Sequence, residues 1–300
     1  MLQIIQKRAY AYLLSGILTG ASVIVTILWG LNLGIDFKGG TLMEVRFALD
    51  PAPETRVVEE SLAELSLKSL TVQPTENRGL LLRYLASDEA ANDQVLEKLR
   101  GLDPEVLQLR TDFIGGSVSD QIKQNAFTGT ALSLIGIALY IAWAFRRVSG
   151  VVTSWEYGLG AIIALAHDII IVIGLFAVLG HFYGIEVGVP FIAALLTILG
   201  YSVNDTIVVY DRVRENLMRS SKKGDFENIV NRSLNETLGR SINTSMTVII
   251  TLVAIVLFGG DSVRYFGVAL LAGVVFGTYS SVYIASALLV SRYNMKTSQK

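Results

Sequence analysis

The chain has no cysteine in its 300 residues. That excludes a disulfide framework, a thiolate zinc site, an iron–sulfur cluster and a cysteine nucleophile, and it leaves the redox compartment open. Its two histidines, His167 and His181, make no metal site, and neither a metal nor a cofactor is expected. Charge is scarce as well: 17% of residues are charged, against about 25% in a soluble domain. Hydrophobic residues reach 52% and mean hydropathy is +0.51. These values exclude a disordered protein and a simple soluble enzyme. A formal net charge of −1 excludes nucleic-acid binding by bulk positive charge and names no partner. H-E-x-x-H, G-x-S-x-G and P-loop sequences are missing, and with them zinc-protease, serine-hydrolase and ATPase machinery.

The charge that exists is unevenly spread. Residues 36–123 hold 16 of the 26 acidic and 10 of the 25 basic side chains. Residues 9–35, 124–145, 241–260 and 265–291 contain no Asp, Glu, Lys, Arg or His. A helix needs roughly 20 apolar residues to cross a bilayer, so each run predicts a span. Two further spans carry interruptions: 157–180 holds His167 and Asp168, and 187–210 holds Asp205. The first run is too long for a signal-peptide core and has no small-residue cleavage site, so it reads as a retained anchor. The expected fold class is a polytopic α-helical membrane protein with six spans.

Loop charge sets the expected orientation. Lys7, Arg8, Arg146, Arg147, Arg292, Lys296 and Lys300 lie on one side, with seven basic residues between 212 and 240. The opposite short loops, near Glu186 and Asp261, supply only Arg264. Both termini, the loop 212–240 and the tail 292–300 are therefore expected in the cytoplasm, and 36–123 outside.

The insert 36–123 reads as βαββαβ, a ferredoxin-like α+β pattern. Thr41–Ala48 alternates like a strand. Glu54–Leu65 has helical spacing, with Val57, Val58, Leu62 and Leu65 apolar. Ser69–Gln73 and Leu80–Leu85 read as strands, with Pro74, Asn77 and Gly79 as hairpin residues. Asp88–Leu99 is a second helix, capped by Ser87 with Gly101 past its end. Val106–Phe113 is the last strand, and Gly115–Gly116–Ser117 with the polar run to Asn125 is a linker. The insert serves either as a binding module or only to tie its flanking spans.

Ionisable residues at membrane depth are costly and mark candidate sites. Asp205 lies about 22 Å along its span if entry is near Pro190, with Thr197 and Tyr201 on the same face and Asn204 adjacent. It exchanges a proton or sits in a permanent ion pair. Arg240 begins the fifth span and either snorkels outward or turns inward to Asp205. Ser241, Asn243, Thr244, Ser245 and Thr247 follow it in an unusually polar stretch. His167 and Asp168 point roughly 100° apart on a helix, so only one is expected at a given interface. His167 is a relay member or a packing residue. Ala269, Gly273, Gly277, Ser281 and Ala285 form a small-residue stripe, shorter at Gly16 and Gly20, for close packing within the chain or between subunits. An aspartyl protease would need facing aspartates, but Asp211 and Asp261 end their spans on opposite sides. No enzyme is expected.

Four motifs, in order along the chain, resemble the SecD/SecF export proteins. Gly34–Ile35–Asp36–Phe37–Lys38–Gly39–Gly40 follows the first span, and Ala166–His167–Asp168 lies in the third. Gly200–Tyr201–Ser202–Val203–Asn204–Asp205–Thr206, with Asp211–Arg212–Val213–Arg214–Glu215–Asn216 after it, is similar to the SecF fourth-span motif. Leu238–Gly239–Arg240–Ser241–Ile242–Asn243–Thr244–Ser245 completes the set. The resemblance covers essentially the whole chain. It implies one half of a resistance–nodulation–division-like bundle in the cell inner membrane, working with SecD beside the SecYEG channel on unfolded preproteins. It also implies use of the proton-motive force, with protons as the coupling ion and Asp205 and Arg240 tied to proton conduction. Asp168, His167, Asn204 and Tyr201 join that expected pathway. Gly34, Asp36, Gly39 and Gly40 are expected to form the connection between insert and membrane, or an ordinary turn. The rivals are a self-associating small-molecule exporter of the same broad superfamily and a non-transporting scaffold.

Overall fold

A computed structural model describes residues 2–75, 77–85, 90–146, 152–220 and 225–298. Ser87, Asp88, Arg147, Lys222, Lys223 and Lys300 lie outside the described residues. Residues Leu33–Phe127 form one compact unit and the rest of the chain another.

The insert begins with a short helix α2 (Ile35–Lys38) and then β1 (Gly40–Arg46), α3 (Thr55–Leu62), β2 (Lys68–Thr75), β3 (Gly79–Leu85), α4 (Ala90–Leu102) and β4 (Leu107–Ile114). The four strands pair antiparallel in the order β2-β3-β1-β4, which is the ferredoxin-like arrangement the sequence predicts. Alternation puts Met43, Val45 and Phe47 with Leu80, Leu82 and Tyr84 on one sheet face, against Val58 and Leu62 of α3 and Val95 and Leu99 of α4. Burying each large side chain is worth about 1.5–3 kcal/mol. Three local expectations fail. Val57 is exposed, because α3 turns only Val58 and Leu62 fully to the core. Gly101 lies inside α4: Asp103 N–H bonds Leu99 O, and Leu102 packs on the core, so the helix continues past it. Pro74 sits in β2 and Gly79 in β3 rather than between them; β2 is an edge strand, where a missing N–H is tolerated.

Asp103 ties the end of α4 to the turn after β1. Its carboxylate accepts from the N–H groups of Ala48 (2.7 Å), Leu49 (3.2 Å) and Glu105 (3.0 Å). Burial opposes the charge, yet these donors hold the carboxyl below its usual range. A depressed folded pKa means the stabilisation is complete above the unfolded value of about 3.9 and lost as pH falls through the folded one. Protection factors of the insert's amides, corrected for the intrinsic slowing of exchange in acid, should therefore fall as pH drops through that value. The Asp103→Asn chain should start less protected at neutral pH and show a shallower acid dependence; parallel pH profiles would refute this.

The other unit carries α1 (Arg8–Trp29), most of α5 (Gly116–Ala144), α6 (Ser154–Tyr183), α7 (Val189–Arg219), α8 (Phe226–Phe258), α9 (Asp261–Ser280) and α10 (Ser286–Ser298). Among the described residues, six segments are long and apolar enough to cross a membrane; one is Val263–Ser298, where α9 and α10 run on through a π turn, Ser281–Ala285. The helices outrun the apolar segments. The run from Gly115 to Asn125 is helical from Gly116, as the first part of α5. Most of 212–240 is helical rather than loop: Arg212 pairs with Glu215 and Glu236, and Asn216 donates to Ser233 and Glu236, so polar pairs join α7 to α8. The tail is helical to Ser298.

The small-residue stripe packs within the chain. Gly273 lies against Ile198, and a Cβ on Gly277 would stand 3.0 Å from Ser202 Cβ, so α9 approaches α7 closely. Gly16 and Gly20 meet nothing within 4 Å. The close contact of α1 is made instead by Ser22 against Gly174 of α6.

Candidate functional site

Helix α7 opens with Gly188 as its cap and Pro190 in its first turn, where a missing N–H costs nothing. Its buried face runs through Ile198, Ser202, Asp205 and Val209 at helical spacing and so turns a carboxylate into the bundle. Asp205 is 7% exposed. Its Oδ1 accepts from Ser241 Oγ of α8 at 2.5 Å, and its Oδ2 from Ser281 Oγ at 2.5 Å. Ser281 is the first residue of the π turn. Such a turn inserts one residue into the helix and breaks the regular carbonyl ladder. Here Ser286 Oγ donates to Ser281 O, and Tyr210 Oη of α7 donates to Ala285 O at 3.1 Å. Gly160 makes room for that phenol, since a Cβ there would come 2.6 Å from Tyr210 Oη.

A second carboxylate is held by serines of α7 and of the end of α9. Asp168 of α6 is fully buried. Its Oδ2 accepts from Ser202 Oγ at 2.6 Å and Ser280 Oγ at 2.8 Å, and its Oδ1 meets His167 Nδ1 at 2.9 Å. The two sites are linked by sequence on both partner helices: Ser202 and Asp205 are one turn apart on α7, and Ser280 and Ser281 are consecutive. His167 and Asp168 are both buried and bonded to each other, against the expectation that adjacent residues diverge; rotation about the side-chain bonds closes the angle. His167 Nε2 is buried without a hydrogen-bond partner among the described residues, and the ring lies 6.1 Å from that of Tyr279.

The other expected residues divide. Tyr201 Oη donates to Ser245 Oγ at 3.1 Å, and Ser245 lies 2.5 Å from Thr278 Oγ1, so Tyr201 joins α7 to α8 and α9. Asn204 and Arg240 are exposed on this chain, as are Asn243, Thr244 and Thr247. Arg240 forms no ion pair with Asp205 among the described residues. The serines at 202, 241, 280 and 281 carry the two carboxylates; the sequence marks two of them only as small or polar, because serine in an apolar helix is as often packing as ligand.

Near the insert, Gly34 caps α2 and Asp36 sits in its first turn. Gly39 (φ 75°) and Gly40 (φ 108°) follow in conformations open mainly to glycine. A Cβ on Gly40 would stand 2.5 Å from Tyr84 O. Tyr84 Oη and Thr41 Oγ1 both donate to Asn92 Oδ1 at 2.8 Å, and burial holds the phenol up at about 12, so it stays a donor. No group of three or more His, Cys, Asp or Glu among the described residues is placed to hold a metal ion.

The family model described as "Protein export membrane protein SecD/SecF, C-terminal" matches residues 94–295, and "SecD/SecF GG Motif" matches residues 30–48. The protein translocase subunit SecF of Thermobaculum terrenum is 41% identical over 98% of this chain and 95% of its own length. The SecDF subunit of Brucella abortus is 38% identical over 92% of this chain, which spans 35% of that protein. The crystal structure of SecDF, a translocon-associated membrane protein from Thermus thermophilus, superposes with a TM-score of 0.82 at 33% identity, covering 97% of this chain and 38% of that one.

Proposed function

Since this chain belongs to the SecD/SecF family of protein-export membrane proteins, in its SecF branch, we propose that it works with SecD beside the SecYEG channel, using the proton-motive force to advance preproteins late in export. One observation carries the proton reading: Asp205 is buried in a span with no ion pair among the described residues, and its two oxygens are held only by the hydroxyls of Ser241 and Ser281. A hydroxyl donates to a carboxylate and, after rotating, accepts from a carboxylic acid. The site therefore accommodates both protonation states without a permanent counter-ion.

The proposed cycle loads Asp205 from outside and empties it inward. Ser241 and Ser281 reorient at each exchange, and the π turn absorbs a register change between α9 and α10. Asp168 and His167 extend the relay through Ser202 and Ser280. The stroke moves α8 and the last span, and the insert engages the preprotein outside. One proton falling through 100 mV releases about 2.3 kcal/mol, so a long advance takes several. Arg240 acts from the exposed side of α8, where it meets the second half of the assembly rather than Asp205 of its own chain.

The exposed polar side chains at 204, 240, 243, 244 and 247 support that partner. Polar groups at membrane depth are disfavoured against lipid and favour a second helical body. SecD is the proposed occupant; a second copy of this chain is the exporter alternative. The test uses inverted vesicles with a preprotein stalled in the channel and ATP removed. With this chain and SecD present, an imposed proton gradient should advance the preprotein. Advance without a gradient, or without SecD, would overturn the reading.

A further inference from the structure

Between α6 and α10, away from the carboxylates, runs an open groove with a volume of about 90 Å³. Leu159 and Ile163 of α6 and Leu288 and Met295 of α10 give it apolar walls, with Glu156 and Arg292 lining it as well. Leu159 and Ile163 are exposed on this chain, so the groove opens on a helix face suited to hydrocarbon. Trp155, 66% exposed, stands beside Glu156 in the first turn of α6, as interfacial tryptophans do.

The polar end is organised. Glu156 closes a capping box: its Oε2 accepts from Thr153 N at 2.8 Å and Thr153 Oγ1 at 2.9 Å. Its Oε1 holds Lys296 Nζ at 2.7 Å and lies 3.8 Å from Arg292 Nε. One carboxylate thus faces two cations at the positive end of a 30-residue helix. Lys296 is fixed by Glu156, while Arg292 is 53% exposed with its guanidinium fork only loosely engaged. An apolar slot ending at such a fork suits an anion that carries an alkyl chain, and a guanidinium matches phosphate geometry with two parallel donors.

We infer that this groove is a binding site for an anionic glycerophospholipid, with one acyl chain between α6 and α10 and the phosphate on Arg292, next to Lys296. The walls select a lipid over free phosphate, and the excess cation selects phosphatidylglycerol over a zwitterionic headgroup. The site is independent of proton coupling at Asp205, so it stands or falls separately from the export reading.

The test is native mass spectrometry of the full chain in detergent, with phosphatidylglycerol and phosphatidylcholine of matched acyl chains in equal amounts. Wild type should retain phosphatidylglycerol preferentially. Arg292→Gln should lower that retention roughly five-fold, the scale of one basic side chain at an anionic surface. Lys296→Gln should lower it similarly. Ile163→Trp, which fills the slot at an exposed position, should reduce retention of both lipids. Excess glycerol phosphate without chains should fail to displace the bound lipid. Equal retention of the two lipids, unchanged binding in Arg292→Gln, or displacement by glycerol phosphate would each overturn the assignment.

Discussion

Asp205→Asn leaves a stalled preprotein where it is when a proton gradient is imposed, while the wild-type chain lets it advance. The substitution keeps the side-chain shape and replaces one oxygen by an amide nitrogen. Ser241 can still donate to the remaining oxygen, and Ser281, having released its donor role, can accept from the amide. Packing and hydrogen bonding survive, so assembly with SecD should be unchanged and thermal stability close to wild type. What is lost is the exchangeable proton. Gradient-driven advance should fall to the level seen without a gradient, a loss on the order of 100-fold if each turnover couples several kcal/mol. Asp205→Glu restores a carboxyl and should recover part of the rate with a shifted pH dependence. If Asp205→Asn advances the chain as well as wild type, Asp205 is structural and the scaffold reading takes its place.

The serine cradle also explains which parts of the site could be read from sequence. Asp205, Asp168 and His167 announce themselves because a titratable residue in an apolar run is rare and costly. Their ligands do not. Ser281 sits in a small-residue stripe with Gly273 and Gly277, where packing alone accounts for it, and the π turn that aims its hydroxyl has no one-residue signature. Arg240 leaves two readings open in the sequence, snorkelling outward or turning inward to Asp205. Successive helical residues face different directions, and on this chain Ser241 is buried while Arg240 is exposed.

Helix boundaries divide along the same line. Four uncharged runs and two long apolar runs with isolated ionisable residues locate six spans, because hydrocarbon demands them. The polar extensions Gly116–Asn125, Arg212–Arg219 and Phe226–Arg240 carry no comparable pattern. Across α7 and α8, pairs such as Arg212–Glu236 and Asn216–Ser233 support those turns, and these are visible only once both helices are placed. In the insert, strand alternation gave the sheet directly, whereas Gly101 misled because Leu102 still had core to cover.

Gly40→Ala should be the most damaging single-methyl change in the insert. At φ 108° the backbone lies outside the regions an L side chain adopts readily, which costs about 1–3 kcal/mol. The new Cβ would also stand 2.5 Å from Tyr84 O, a backbone atom that cannot swing aside. Thr41 pairs with Tyr84 across β1 and β3, so any shift spreads to the Thr41–Asn92–Tyr84 bonds that fasten α4 to the sheet. A total near 3 kcal/mol corresponds to about 100-fold in the unfolded population of the insert. Because the chain has no cysteine, one reporter thiol placed by Val95→Cys in the core reads that population by its labelling rate. Gly39→Ala should raise the rate less: φ 75° with ψ 175° is also a conformation open essentially to glycine, but the nearest contact of a Cβ there is 3.3 Å rather than 2.5 Å. Gly116→Ala, in open space within α5, should leave it unchanged or lower it. The order Gly40, Gly39, Gly116 is the test. Equal labelling at all three would mean that the tight approach of β1 to Tyr84 is not what these glycines provide, and that their role lies in the connection to the membrane instead.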